Sequence, residues 1–72
     1  MTKFIGSGVL SKFSQEVILQ KPIAAVQIPQ LLDIQKPLAD HLILVRDHHM
    51  LSDSYLVNDN DEIFLFLAVM GG

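Results

Sequence analysis

Asp59-Asn60-Asp61-Glu62-Ile63-Phe64-Leu65-Phe66-Leu67-Ala68-Val69-Met70-Gly71-Gly72 carries the strongest structural pattern in the chain. Its first residues, with Asn58, have the composition of a turn, and Asn is the non-glycine residue best able to take positive φ. Glu62 to Val69 is the most apolar segment of the chain. As a strand it places Ile63, Leu65, Leu67 and Val69 on one face and Phe64, Phe66 and Ala68 on the other. One face is expected to pack on a helix through the core. The other leaves two phenylalanines on the outside of a sheet, each worth about 1.5–3 kcal/mol if a partner buries it. Phe64, Phe66 and Ala68 are therefore the expected partner-binding residues, the alternative being that both faces are covered internally.

Met70, Gly71 and Gly72 follow that strand directly. Glycine has no Cβ, so a Gly-Gly end can thread a channel too narrow for other dipeptides. Such an end is expected to present the α-carboxylate of Gly72 to another protein's active site. A chance pair or an expression scar would end the same way, so the tail carries weight only if the body in front of it fits.

Working back toward the N-terminus, His41 to Arg46 reads as a buried strand through Leu42, Ile43, Leu44 and Val45. Asp47-His48-His49 reads as a polar turn, and Met50 to Leu56 as a short irregular or strand-like piece. Between Pro22 and Pro37 the apolar period changes: Ala24, Ile28, Leu31 and Leu32 fit one face of a helix. Pro29 is compatible with that helix in its first turn or at a kink, and Pro37 is expected to end the element. Thr2 to Leu10 and Phe13 to Leu19 read as strands joined by a turn at Ser11-Lys12, with Phe13, Gln15, Val17 and Leu19 sharing one face. Gly6 and Gly8 mark either a bulge or a close backbone approach in the first strand.

Composition bounds what such a body can do. Seventy-two residues make one domain near the lower limit for an unstapled core. At 50% hydrophobic the chain has ample apolar material, and some of it is expected on the surface, where it usually signals a partner. The absence of cysteine excludes disulfides, thiolate nucleophiles and cysteine metal sites. A net charge of −3 with five scattered lysines and arginines gives no basic stripe, so no nucleic acid is expected as a partner. The N-terminus lacks the pattern of a signal peptide, and no apolar run approaches the ~20 residues that span a bilayer. A cytoplasmic protein with no membrane partner is the expectation.

Two side-chain groups resemble metal sites without meeting their requirements. His41, His48, His49, Asp47 and Asp53 offer zinc-ligand chemistry, but adjacent histidines in a turn point apart and no i, i+4 pair exists. Asp59, Asp61 and Glu62 lack the glycine and the spaced bidentate glutamate of a calcium loop. Both read as solvated turns, and no metal is expected.

The order of two strands, a short helix and further strands, closing on a central-type strand and a glycine pair, is that of an α+β, ubiquitin-like β-grasp domain. It predicts a mixed four- to five-stranded sheet on one short helix, with residues 1–69 as the domain and 70–72 as a flexible tail. The C-terminal fourteen residues resemble the signature of the ubiquitin-like sulfur-carrier family, which includes the small subunit of molybdopterin synthase and the sulfur carrier of thiamine biosynthesis. That pattern is an acidic turn, a hydrophobic strand with a phenylalanine, a Val or Ile and terminal Gly-Gly. Phe66, Val69, Gly71 and Gly72 fall on its positions. The likeness is architectural over the rest of the chain. Asn60 stands where the family usually has glycine, Val45-Arg46-Asp47 where it often has Val-Asn-Gly, and Leu67-Ala68 where molybdopterin synthase small subunits often have Pro-Pro.

The resemblance implies a carrier rather than an enzyme, binding no cofactor of its own. Its reactive group would be the Gly72 carboxylate, which an E1-like adenylating enzyme activates with ATP and a sulfurtransferase or cysteine desulfurase converts to a thiocarboxylate. Gly71 and Met70 would lie in the partner's channel. The sulfur would be delivered to a synthase large subunit, in molybdenum or tungsten cofactor biosynthesis, or to a thiazole synthase, in thiamine biosynthesis. Extended, Val69 to Gly72 reaches on the order of 13 Å. The alternative is a β-grasp interaction or regulatory module whose sheet face alone matters.

Overall fold

Strand alternation at the C-terminal end of the domain organises everything else. In the computed structural model, which describes residues 1–68, strand β7 (Glu62–Leu67) buries Ile63 and Leu65 completely. It is the central strand of a five-stranded sheet. β1 (Thr2–Gly6) lies parallel to it on one side and β4 (Leu42–Arg46) antiparallel on the other. β2 (Gln15–Val17) pairs antiparallel with β1, and β5 (His49–Met50) with β4, giving the order β2-β1-β7-β4-β5. A separate two-stranded ladder joins β3 (Ile23–Ala24) to β6 (Leu56–Val57). The one α-helix among the described residues, α1 (Ile28–Leu31), completes a small α+β fold built on a mixed five-stranded sheet. The core joins Phe4, Leu10, Ile28, Leu32, Val57, Ile63 and Leu65 across the strands, the helix and the first turn.

The first strand ends at Gly6, short of the expected Leu10, and a 3-10 turn over Gly8–Phe13 replaces the two-residue turn at Ser11-Lys12. The cause is Leu10, which is fully buried. Turning the chain inward after Gly6 carries Leu10 into the core, and two glycines make the turn possible. Gly6 is a close approach, since a Cβ there would collide with the Leu10 carbonyl, and Gly8 adopts φ +58°. The second strand is correspondingly shorter than expected. Around it Ser14, Glu16 and Ile18 are exposed while Phe13, Val17 and Leu19 turn toward the core; Gln15, which the alternation groups with these three, is exposed.

The helical segment differs in phase from its sequence reading. A 3-10 turn over Ala25–Gln27 leads into α1, with Pro29 in the first turn of the helix. Because 3-10 structure has three residues per turn, Ala25 and Ile28 share the buried face with Leu32, while Leu31, expected in the core, is 41% exposed. The helix stops well before Pro37: Asp33 takes a left-handed φ of +60° and the Ile34 N–H donates to the Pro29 carbonyl at 2.8 Å. After Pro37 a third 3-10 turn, Leu38–His41, feeds β4.

His49, expected in the polar turn, belongs to β5 instead. Asp47 and His48 alone form the hairpin loop, with φ of +51° and +67° and Arg46 paired with His49. A two-residue loop with both φ positive has the twist that matches antiparallel strands. At the end of β7 the Ala68 N–H donates to the His41 carbonyl at 2.7 Å. Val69 and the 70–72 tail lie outside the described residues. Among the described residues no helix is long and apolar enough to cross a membrane.

Candidate functional site

Three adjacent strands build an apolar surface on the side of the sheet away from the core. The register sets Phe64 beside Ile5 on β1 and Val45 on β4, and sets Phe66 opposite Ile43. Since neighbouring strands in register present the same face, these five side chains form two rows across the sheet. None of them packs against the core cluster. Phe66 is 39% exposed, and the other four are half-buried. By the same alternation Ala68, also half-buried, extends the surface along the β7 line toward the tail. A shallow cavity of about 450 Å³ opens here, lined by Val45, Asp47, His48, Glu62, Phe64 and Phe66. The surface is thus an aromatic and aliphatic floor with two carboxylates and an imidazole at one end.

Ile5, Ile43 and Val45 enlarge the surface beyond the residues expected from β7 alone. A signal for them was present in the sequence. β4 is apolar at every position from Leu42 to Val45, so its alternate residues had to face away from the core once Leu44 was buried. What the sequence did not give was the register that puts them beside the phenylalanines.

The β4–β5 end of the sheet is held by charge, and alternation puts Arg46 on the side opposite Val45 and the apolar face. Arg46 bridges Asp47 at 3.0 Å and Asp61 at 3.2 Å. The Asp61 carboxylate foremost, with Tyr55 and Asp47 adding to it, raises the guanidinium's pKa above its ordinary value. Asp61 also accepts the Asn58 N–H at 2.9 Å, closing the turn that precedes β7. Its neighbour Asp59 accepts the Leu19 N–H at 3.2 Å, the Thr2 hydroxyl at 3.3 Å and the terminal ammonium at 3.4 Å. The Leu19 N–H is the main reason that the Asp59 carboxyl titrates below its usual range. Asn60, at φ +75°, supplies the left-handed residue of the same turn. These carboxylates are turn-forming groups occupied by backbone donors and by Arg46.

The histidines are dispersed: His41 ends the 3-10 turn before β4, His48 sits in the hairpin loop and His49 in β5. Among the described residues no three His, Cys, Asp or Glu side chains converge on a point that could hold a metal ion. Phe64, Phe66 and Ala68 lie together on the outer face, whereas Met70, Gly71 and Gly72 lie outside the described residues. No protein-family model and no curated protein matches this chain.

Proposed function

We propose that this chain is a β-grasp sulfur carrier, a protein cosubstrate whose Gly72 carboxylate is converted to a thiocarboxylate. The observation that most supports this is the uncovered apolar face of Ile5, Ile43, Val45, Phe64 and Phe66, reaching along β7 toward the strand end from which the Gly-Gly sequence continues. A carrier must be gripped by its body while its terminus enters a partner's site, and this face is where a partner would grip. The strand order β2-β1-β7-β4-β5 with parallel β1 and β7 at the centre is also the arrangement expected of a β-grasp domain.

The chemistry requires Gly72 to carry a free α-carboxylate. A carboxylate is a poor electrophile, because its charge and resonance oppose attack. An adenylating enzyme overcomes this: a carboxylate oxygen attacks the α-phosphorus of ATP and pyrophosphate leaves. The terminal sulfur of a protein persulfide then attacks the acyl carbon, AMP departs, and a second thiol of the partner cleaves the S–S bond to leave the thiocarboxylate and a partner disulfide. The synthase that receives the sulfur belongs to molybdenum or tungsten cofactor biosynthesis or to thiamine biosynthesis. The domain contributes no acid, base or metal to these steps. It contributes recognition and reach.

Mass spectrometry tests the proposal directly. Incubated with candidate adenylating enzymes, ATP and a persulfide donor, the intact chain should gain about 16 Da at its C-terminus, the difference between sulfur and oxygen. An unchanged mass with every candidate activating enzyme would overturn it and leave the apolar face as the whole of the function.

A further inference from the structure

β4 keeps part of its second edge open. The Ala68 N–H bonds to the His41 carbonyl, and the register pairs Ile43 with Phe66 and Val45 with Phe64. In the two-residue period of an antiparallel ladder, His41, Ile43 and Val45 therefore turn their backbone groups toward β7, and Leu42 and Leu44 turn theirs away. On that far side β5 pairs only with Val45 and Arg46. The Leu42 N–H donates to the Ala39 carbonyl, and the Leu44 carbonyl accepts the Leu51 N–H at 2.8 Å. Among the described residues, the Leu42 carbonyl and the Leu44 N–H have no partner. They flank Ile43 and face the same way, the spacing at which an extended segment of another chain donates to one and accepts from the other.

A groove of about 410 Å³ runs beside this edge, between β4 and the turn that enters α1. Its apolar walls include Val26 and Pro29 on one side and Met50 and Leu51 on the other. Val26 and Met50 are 59% and 71% exposed, so a ligand side chain seated between them would remove apolar surface from water. The charged residues lining the groove are Asp40 and Asp53, both carboxylates. Asp40 has only a long, exposed contact with Lys36 at 4.0 Å, and Asp53 makes no ion pair among the described residues.

We propose that the open edge of β4 and this groove bind a short extended peptide of a partner protein, aliphatic at its centre and bearing lysine or arginine on its flanks. Backbone pairing with Leu42 and Leu44 supplies register, the groove takes one aliphatic side chain, and Asp40 and Asp53 select positive charge. β5 seals the edge beyond Leu44, so the added strand spans about three residues, on the order of 10 Å. This site lies along the sheet's edge rather than on its outer face, and it operates whatever becomes of Gly72.

The probe is an acetylated, amidated heptapeptide, Lys-Lys-Val-Ile-Val-Lys-Lys, titrated into the full-length isotope-labelled protein and followed by amide NMR shifts and hydrogen exchange. The Leu44 N–H should shift and gain protection, with Val26 and Met50 moving alongside it and Phe66 still. Replacing the four lysines of the peptide by glutamates should weaken binding about tenfold, and the Asp40→Asn, Asp53→Asn double variant should bring the two peptides close to parity. N-methylation of the central peptide bonds should abolish binding. An unmoved Leu44 amide, equal binding of the N-methylated peptide, or equal binding of the glutamate peptide to the unaltered protein would each overturn the proposal. Concentration-dependent dimerisation of the free protein with the same Leu44 protection would overturn it in favour of a second copy of the chain at this edge.

Discussion

Gly6 lies against the carbonyl of Leu10, so close that a Cβ on Gly6 would overlap it. The contact is backbone against side-chain site, and neither member can rotate away. It lets the 3-10 turn fold back and deliver Leu10 to the core, where it is fully buried. Gly6→Ala should therefore destabilise the domain by about 2–4 kcal/mol, whereas Gly8→Ala, where nothing stands within 4 Å, should cost only the strain of its positive φ, about 1 kcal/mol. Chemical denaturation of the two variants measures the difference, and equal losses would rule out the Gly6–Leu10 contact as the cause.

Phe66 and Ile63 test the two faces of β7 against each other. Phe66→Ala removes a ring that is 39% exposed and should lower stability by less than about 2 kcal/mol. Ile63→Ala empties a fully buried site and should cost about 2–5 kcal/mol. In a binding titration with an adenylating enzyme that acts on the chain, Phe66→Ala should weaken association by about 1–3 kcal/mol. A collapse in melting temperature for Phe66→Ala would instead make the ring a structural element.

Asp59 sets an acid limit on stability. Its carboxyl titrates below the ordinary range in the folded chain, chiefly because of the Leu19 N–H. A depressed folded pKa means that the stabilisation is fully present above the unfolded pKa of about 3.9 and is lost as pH falls through the folded value. The melting temperature of the unaltered protein should accordingly carry an Asp59-dependent fall below about pH 4. Asp59→Asn keeps an oxygen acceptor for the Leu19 N–H but has no charge to titrate. Its melting temperature should be lower than the parent's at pH 7 and approach it at pH 3, and parallel curves would remove Asp59 from the account.

Gly71 and Gly72 are expected to matter for activation and not for folding. Gly71→Val or deletion of Gly72 should change stability by no more than about 0.5 kcal/mol. Either change should abolish thiocarboxylate formation in the mass assay. Gly71→Val keeps a terminal carboxylate and adds only a branched Cβ, so it isolates the steric requirement. Normal adenylation of that variant would show that no narrow channel surrounds the tail.

Much of the sheet was legible because its strands carry strong local signals. Ile63 and Leu65 alternate with Phe64 and Phe66, and Leu42 to Val45 form an unbroken apolar run bounded by polar residues. The Asn58 to Asp61 turn announced itself by composition. The 3-10 turn over Gly8–Phe13 did not, because Val9, Leu10 and Phe13 favour a strand locally and only the burial of Leu10 overrides them. The helix phase was misplaced for a related reason. A 3.6-residue period was read across a segment that enters as a 3-10 turn, which brings Ala25 rather than Ala24 beneath Ile28.

The α+β class and the two apolar faces that the alternation of β7 requires follow from the chain alone, because a period of two is a local property. The sequence also placed Asn60 where a turn needs positive φ. Long-range pairing, by contrast, sets β7 between a parallel β1 and an antiparallel β4, and so joins Ile5, Ile43 and Val45 to Phe64 and Phe66 on one surface. It alone decided that β5 stops short, so that among the described residues the Leu42 carbonyl and the Leu44 N–H are without a partner. Register and edge pairing are relations between residues distant in the chain, set by which burial of Leu10, Ile28, Ile63 and Leu65 closes a single core, and no local pattern encodes them.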